Sequence, residues 1–331
     1  MLLDAAMLKR NHTQVRIGRL APSPTGFLHL GNAWSFWLAW LDVRSVSGRL
    51  ILRMEDIDPD RAKETFAEAV RNDLTWLGLD WDEEAAPQSR RGQYYAAALE
   101  KLRADGLIYP CYCTRKELRS LAGAPHVDDA GAQYPGTCRN LSAEERLALD
   151  GSGRKKSLRL LCPAEHCWTF HDRVFGPQSF SLEGCGGDFA LRRSDGVYAY
   201  QLAVVVDDMA SGVNSVVRGR DILVSTPRQL YLYSLLGGKA PACAHLPLIL
   251  DHQGDRLAKR HASLTLASLR EAGIKAETIL GYLAFRAGLT DSIGPLGAGD
   301  ICRGFSLEKI SPADLSLPDD PAGFFLKIQK R

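Results

Sequence analysis

The order of elements between Val15 and Leu77 constrains the fold more than any other feature of the chain. Val15–Leu20 reads as a short apolar strand, followed by the turn-rich loop Pro22-Ser23-Pro24-Thr25-Gly26. After Gly31 a helix carries Trp34, Trp37, Leu38 and Leu41 at the spacing of one apolar face. Arg49–Glu55 reads as a second strand, ending in acidic residues and Pro59. Arg61–Leu77 reads as an amphipathic helix with Phe66, Val70, Leu74 and Leu77 in line. Strand, helix, strand, helix at this spacing means a parallel sheet covered by helices, an α/β layer fold.

From about Ile108 the alternation stops. Short strands and Gly- or Asp-rich loops run to Asp188, with loop-like stretches at 123–137 and 150–156, and the region reads as an insertion. The alternation then returns. The apolar run Leu202–Val206 reads as a buried strand or helix face. Val213–Arg218 reads as a strand, Thr226 as the cap of a helix with Pro227 at its first position, and His245–Leu250 as another strand. A polar loop, Asp251–Arg260, follows. Residues from Ser263 to about Leu289 read as helical, and the rest as loops.

The 331 residues suffice for two or three packed units. A net charge of only +2 excludes a strong global field, so an RNA partner must meet a local basic face. Residues 1–10 lack a signal-peptide core, and no apolar stretch approaches a membrane span. Eight cysteines in a chain this long do not suggest a disulfide scaffold. The chain is expected to be cytoplasmic and monomeric, away from membranes.

Two motifs carry phosphate chemistry. The first is Arg19-Leu-Ala-Pro-Ser-Pro-Thr-Gly-Phe-Leu-His29-Leu-Gly31-Asn32, set between a strand and a helix. A helix start is an anion site, because its free N–H groups point outward and its dipole is positive there. His29 adds a donor that reaches a phosphate, and Gly31 lets a flat ring or phosphate approach the backbone. A bare His-x-Gly is better explained as a plain βα turn; the whole string is not. The second motif is Asp255-Arg256-Leu257-Ala258-Lys259-Arg260. A basic loop that folds over ATP neutralises the charge developing on the leaving pyrophosphate. Alone, such a run is most simply a solvated loop.

Together these motifs resemble the HIGH-type element (His29 to Asn32) and the KMSKS-type loop (Arg256 to Arg260) of class I aminoacyl-tRNA synthetases. Leu257 and Ala258 stand where the family has Met and the first Ser, and Lys259 matches the charge-bearing lysine. Three further strings are similar to the glutamyl branch: Arg53-Met-Glu55-Asp-Ile-Asp58, Tyr200-Gln-Leu-Ala-Val-Val-Val-Asp207-Asp208 and Val217-Arg218-Gly-Arg-Asp221. The resemblance runs from about Val15 to Leu289. It implies a Rossmann-like catalytic domain split over 15–107 and 189–260, a zinc-containing α+β insertion at 108–188 that handles the acceptor, and a small, mainly helical unit at 261–331.

The resemblance also implies roles. ATP, with Mg²⁺ riding on it, would meet His29, Gly31, Asn32, Arg256 and Lys259, with His29 and Lys259 catalytic. Glutamate would meet Arg19, Ala21, Ser23, Glu55, Tyr200 and Arg218. Glu55 would hold the ammonium, and the planar forks of Arg19 and Arg218 the carboxylates. Arg19 is the better choice for the side-chain carboxylate, where it would reject neutral glutamine. Outside this context each residue has a plain explanation: Glu55 and Asp56 as a surface strand end, Arg218 paired with Asp221, Tyr200 as core.

Cys111-Tyr-Cys113 and Cys138 supply two close thiolates and a third from another loop, a set that binds zinc given a fourth ligand. The arrangement resembles the structural zinc site of the glutamyl-Q tRNA(Asp) synthetases, a truncated family whose fourth ligand is a tyrosine, here Tyr134. The spacing from Cys113 to Tyr134 is longer than usual there, and His126, Asp128 and Asp129, which lie between, are alternative fourth ligands. Cys162, His166 and Cys167 form a second cluster, a competing metal site or, the better reading, a strand edge with buried thiols.

About 70 residues follow Lys259, where full glutamyl-tRNA synthetases continue into an anticodon-binding region. The glutamyl-Q family lacks that region. Its members activate glutamate without tRNA and pass it to queuosine in the anticodon loop of tRNA(Asp). Recognition of an unstacked loop base suits stacking and base-edge contacts. Arg115, Lys116, Arg119, Arg139 and the Arg154-Lys155-Lys156 run are candidate phosphate contacts, or equally a solvated insertion surface. The alternatives are a small glutamyl-tRNA synthetase charging tRNA(Glu), and a non-catalytic RNA-binding paralogue supported only by the altered lysine loop.

Overall fold

The computed structural model describes residues 15–114, 116–118, 134–163, 165–257 and 264–330. The expected alternation is present. Strand β1 (Ile17–Leu20) leads to helix α1 (Leu30–Arg44), β2 (Arg49–Arg53), α2 (Glu64–Trp76), β3 (Glu83–Ala85) and α3 (Gly92–Ala104). Strands β1, β2 and β3 are parallel neighbours in that order. Strand β4 (Ile108–Cys111), helix α4 (Ala143–Gly151), β5 (Ser157–Leu160), the hairpin β6 (Cys167–Asp172) and β7 (Gly176–Ser181), and β8 (Ala190–Arg192) follow. Then come α5 (Tyr200–Ala210), β9 (Ser215–Gly219), α6 (Thr226–Leu236), β10 (Ala242–Leu246), β11 (Ile249–Leu250), α7 (Leu266–Glu271), α8 (Ala276–Arg286), β12 (Leu315–Ser316) and α9 (Pro321–Gln329).

Strand β10 runs parallel to both β9 and β6, giving the order β7-β6-β10-β9. The two halves meet where β9 lies beside β1. The seam is stitched by Asn214, whose backbone N–H donates to the Ile17 carbonyl and whose Oδ1 accepts from the Ile17 N–H, both at 2.9 Å. Strands β4, β5 and β8 form a separate antiparallel sheet. The hairpin β6–β7, although it falls within the stretch 108–188, extends the edge of the parallel sheet instead. Arg173 in its turn ion-pairs with the buried Asp42 of α1 at 2.7 Å.

Alternation along the strands sorts side chains to two faces. Leu50 and Leu52 of β2 face α1, whereas Ile51 points to the other side with Val216 and Cys243. Val216 and Cys243 meet Val204, Val205 and Tyr233 of α5 and α6. On the α1 side the core continues into the C-terminal unit through Leu269, Ile279, Leu283 and Phe325.

Helix α1 departs from the single apolar face expected of it: residues from Ala33 to Val43 are buried almost all round. The cause is that the C-terminal unit packs on the side that would otherwise face water. Its tryptophans then need partners for their indole N–H groups. Trp34 donates to the Pro247 carbonyl at 3.0 Å, Trp37 to Ala298 at 3.0 Å and Trp40 to Asp80 at 2.6 Å.

The run Leu202–Val206, open between a strand and a helix face, is helical, within α5. Other expectations are corrected. Residue 150 lies in α4, so the loop there begins only after it. The strand expected at 245–250 lies at Ala242–Leu246, with a separate short pairing at Ile249–Leu250. Ser225, not Thr226, precedes α6, and the Thr226 hydroxyl is turned to other use. The tail is not loop to its end: Asp320 caps α9 through the Gly323 N–H, with Pro321 in the first turn. Among the described residues no helix is long and apolar enough to cross a membrane.

The packing of α8 depends on Gly281. A Cβ there would lie 1.7 Å from the Gly294 carbonyl oxygen, a backbone atom that cannot swing away. Gly281→Ala is expected to destabilise the protein by about 2 kcal/mol or more, read as a lowered midpoint in urea unfolding.

Candidate active site

The C-terminal ends of β1, β2 and β9 converge where the two halves of the sheet meet, the position at which open parallel sheets bind ligands. A cleft of about 790 Å³ opens there. Arg19, Ala21, Ser23, His29, Gly31, Asn32, Glu55, Tyr200, Arg218 and Arg256 all line it, so every sequence-selected ligand contact within the described residues reaches one space. Ala258, Lys259 and Arg260 lie outside the described residues.

His29 is the N-cap of α1. Its Nδ1 accepts from the Gly31 N–H at 3.1 Å, and its own backbone N–H donates to Asn32 Oδ1 at 3.0 Å. A neutral ring that accepts at Nδ1 carries its proton at Nε2, so capping also sets the tautomer. Gly31 makes the arrangement possible, because a Cβ there would sit 3.0 Å from the imidazole Cε1.

Beneath the cleft floor lies a buried ion network. Arg53, at the end of β2, donates from Nη1 to Asp208 at 2.7 Å and from Nη2 to Glu55 at 3.0 Å. Arg19 Nε lies 3.4 Å from Asp208. Asp207 accepts from Arg91 at 2.5 Å, Gln88 at 2.9 Å and the Tyr95 hydroxyl at 2.8 Å. Burial drives the Glu55 carboxyl above its ordinary range, and the Arg53 and Arg19 charges reduce that rise without cancelling it. Glu55 is therefore a buried group and not a surface strand end. Tyr200 lines the cleft with its phenol held neutral by burial and by the Glu55 charge.

Arg218 is surrounded differently. Its Nε donates to His245 Nε2 at 3.0 Å, Nη1 to Gln229 Oε1 at 2.8 Å and Nη2 to Thr226 Oγ1 at 2.8 Å. All three acceptors are neutral side chains. The plain pairing with Asp221 does not occur, because Asp221 pairs with Arg256 at 2.6 Å. Sequence reading missed Arg53, Thr226, Gln229, His245 and Asp172 as parts of the site. The one signal available was that charged or polar residues stood inside apolar strand and helix patterns.

In the insertion, the sulfurs of Cys111, Cys113 and Cys138 lie within 4.8 Å of one another, with Cys113 and Cys138 3.6 Å apart. The Tyr134 hydroxyl accepts from the Cys138 N–H at 2.8 Å, and Arg159 lies over the Tyr134 ring at 3.8 Å. His126, Asp128 and Asp129 are outside the described residues. Cys162 is buried but Cys167 is exposed at the start of β6, so the reading of buried thiols holds for Cys162 alone. Of the candidate phosphate contacts, Arg154 pairs with Glu117 at 2.6 Å, Lys156 with Asp150 at 2.7 Å and Arg139 with Asp188 at 3.3 Å. Lys116 is exposed, and Arg115 and Arg119 lie outside the described residues.

The family described as tRNA synthetases class I (E and Q), catalytic domain, matches residues 14–296. The glutamyl-Q tRNA(Asp) synthetase of Nitratidesulfovibrio vulgaris is 56% identical over 311 residues, covering 92% of this chain and 96% of the relative. That of Symbiobacterium thermophilum is 49% identical over 310 residues, covering 91% and 95%. Among solved structures, a glutamate tRNA ligase from Elizabethkingia meningosepticum in complex with its amino acid superposes with a TM-score of 0.78 at 27% identity, covering 94% of this chain and 68% of that one.

The ion network generates a stability prediction. Arg53→Met leaves Asp208 and Glu55 buried without their shared partner, and is expected to destabilise the fold by about 3–5 kcal/mol in denaturant titration. Arg53→Lys should recover only part of this, since one ammonium cannot reproduce the fork that spans both acids.

Proposed function

The chain belongs to the class I tRNA synthetase family of the E and Q type, among the glutamyl-Q tRNA(Asp) synthetases, and from that premise we propose that it activates L-glutamate with ATP and transfers it to queuosine in the anticodon loop of tRNA(Asp). The observation that carries the glutamate half is Arg218, a buried guanidinium whose partners among the described residues are all neutral, lining one cleft with Glu55, Arg19 and His29. An amino acid with two carboxylates and one ammonium matches that set.

On this reading Glu55 takes the ammonium, Arg218 and Arg19 take the two carboxylates, Ala21 borders the ligand, and Ser23 and Tyr200 add neutral hydrogen bonds. Arg19 already shares the Asp208 charge, and its role is to prefer a carboxylate over an amide at the substrate side chain. ATP lies across the start of α1, with Gly31 and Asn32 against it. His29 Nε2–H and the Arg256 and Lys259 cations meet its phosphates. A glutamate α-carboxylate oxygen attacks the α-phosphorus as the bond to the bridging oxygen of the β-phosphate breaks. Pyrophosphate departs with Mg²⁺, and glutamyl adenylate remains. The protein supplies position and positive charge and forms no bond to the substrate. Support for the queuosine acceptor comes from the names of relatives that this chain matches over 96% and 95% of their length. ATP and tRNA as substrates accord with a cytoplasmic protein.

We also propose one structural zinc ion in the insertion. Tetrahedral zinc with sulfur ligands about 2.3 Å away sets sulfurs about 3.8 Å apart. Cys113 and Cys138, 3.6 Å apart, meet that spacing, Cys111 lies within 4.8 Å of both, and Tyr134 offers an oxygen beside them. Bound there, zinc would fasten β4 to the segment carrying Cys138.

Three outcomes are expected. Glutamate, and not glutamine, supports ATP–pyrophosphate exchange without RNA, and Lys259→Ala lowers the rate by about 10²–10³-fold. Labelled glutamate is transferred to tRNA(Asp) that carries queuosine and not to tRNA(Asp) that lacks it. Charging of tRNA(Glu) instead, with exchange dependent on RNA, would make the chain a small glutamyl-tRNA synthetase; absence of exchange under any condition would leave an RNA-binding protein. Elemental analysis should find about one zinc per chain, lost in Cys138→Ala together with thermal stability.

A further inference from the structure

Arg218 is fixed by a chain of hydrogen bonds that begins at Asp172, outside the cleft. Its planar side chain has five N–H groups, of which three are committed to His245, Gln229 and Thr226. One hydrogen on each terminal nitrogen remains for the cleft that the side chain lines, a fork suited to a carboxylate. The rotation of that fork is set by the bond at Nε, and that bond ends on His245.

A guanidinium can only donate, so His245 Nε2 must accept and bears no proton. The proton is then on Nδ1, which donates to Asp172 Oδ2 at 2.6 Å. Asp172 is itself immobilised. Its Oδ1 accepts from the N–H groups of Val174 and Phe175, and the His245 N–H donates to the same carboxylate. His245 and Asp172 are both fully buried, so water cannot substitute for either partner. Burial holds the His245 imidazole neutral, with its pKa lowered to about 4.

The contrast with the neighbouring arginines gives this arrangement meaning. Arg53 touches Asp208 and Glu55 directly, and Arg19 lies against Asp208. At Arg218 an imidazole stands between the arginine and the acid. The acid orients and polarises the ring, while the guanidinium keeps a neutral first neighbour and an undivided charge for its ligand.

We infer that His245, oriented by Asp172, is a positioning residue that aims Arg218 at a carboxylate of the amino-acid substrate and reserves its charge for it. The inference rests on reading Arg218 as a glutamate ligand. It assigns a part in amino-acid binding to a residue pair that touches neither substrate.

Asp172→Asn tests it with little change in shape. The amide oxygen would be retained by the Val174 and Phe175 N–H groups, which leaves the NH₂ facing His245 Nδ1. The ring must then accept at Nδ1 and carry its proton at Nε2, where it opposes the Arg218 N–H. His245→Gln keeps an acceptor near Nε2, and His245→Leu removes it. Exchange kinetics with glutamate and ATP varied separately, alongside thermal unfolding, should show the glutamate KM raised about ten- to a hundredfold in Asp172→Asn and His245→Leu. The ATP KM should stay within about twofold, and His245→Gln should lie nearer the wild type than His245→Leu. An unchanged glutamate KM in Asp172→Asn, a parallel rise in the ATP KM, or no advantage of Gln over Leu would overturn the inference while leaving the glutamate reading intact. Failure of every variant to fold would assign the pair to the scaffold and overturn it as well. Wild-type protein without amino-acid-dependent exchange would remove the glutamate reading and the inference together.

Discussion

Three strands end in buried charge, and the rest of the site depends on how that charge is compensated. Arg53 is 1% exposed at the end of β2, and Asp207 and Asp208 are equally enclosed on α5. Removing such groups from water is costly, and a buried ion pair is often no more stabilising than apolar residues of the same volume. Stability alone therefore does not account for the network. Its effect on Glu55 does. Burial pushes that carboxyl toward the neutral form, and the adjacent Arg53 and Arg19 charges oppose the push. The net shift is still upward, so the charged form gains most when a further cation, such as an ammonium, arrives beside it in this dry site. The network thus lowers the cost of ionising a buried carboxyl, and an arriving ammonium would lower it further.

The seam between β1 and β9 makes this possible. Arg53 and Asp208 are 155 residues apart and meet only once β9 and α5 have docked beside β1 and β2. Asn214 holds the seam through its backbone and its side chain, and Arg19 crosses it to reach the Val217 carbonyl at 3.5 Å. Helix α1 starts at the same place, so the capped His29 faces the space into which Glu55 and Arg218 project. Amino-acid and phosphate chemistry are brought together by topology, before any local motif acts.

Legibility in the sequence followed the range of the interaction. The βα alternation from Ile17 to Trp76 was readable because apolar spacing is local, and His29 and Gly31 because a helix start announces an anion site. Glu55 and Arg218 were readable as residues through family resemblance, but their surroundings were not. Nothing near Arg218 in sequence reveals that its partner is His245, 27 residues on, or that Asp172 in a hairpin within the insertion stretch orients that ring. Thr226 looked like a cap because Thr before Pro usually is one; tertiary hydrogen bonding to Arg218 took precedence. The apolar stripe of α1 was underestimated because its second buried face exists only after the C-terminal unit has packed. Helix α9 is a different case, since Asp320 and Pro321 are a local start signal that needs no tertiary contact to be read.

Arg19 and Arg218 at the cleft and Arg53 beneath it differ in how far their charge is compensated, which suggests why a site for a substrate with two carboxylates is not simply lined with bare cations. Bare guanidinium groups would repel one another in a dry cleft and collapse onto any nearby acid. Arg53 is fully compensated and serves the interior. Arg19 is partly compensated by Asp208, which lowers its attraction for anions in general and leaves its fork geometry to discriminate. Arg218 is solvated, among the described residues, by neutral side chains, and these cost it no charge. Exchanging His245 for a carboxylate would make a shorter and stronger bond to Arg218 in the empty protein. That bond would compete with the ligand, because a guanidinium already neutralised gains little from a second carboxylate. A neutral acceptor is therefore the arrangement that holds the arginine still without satisfying it.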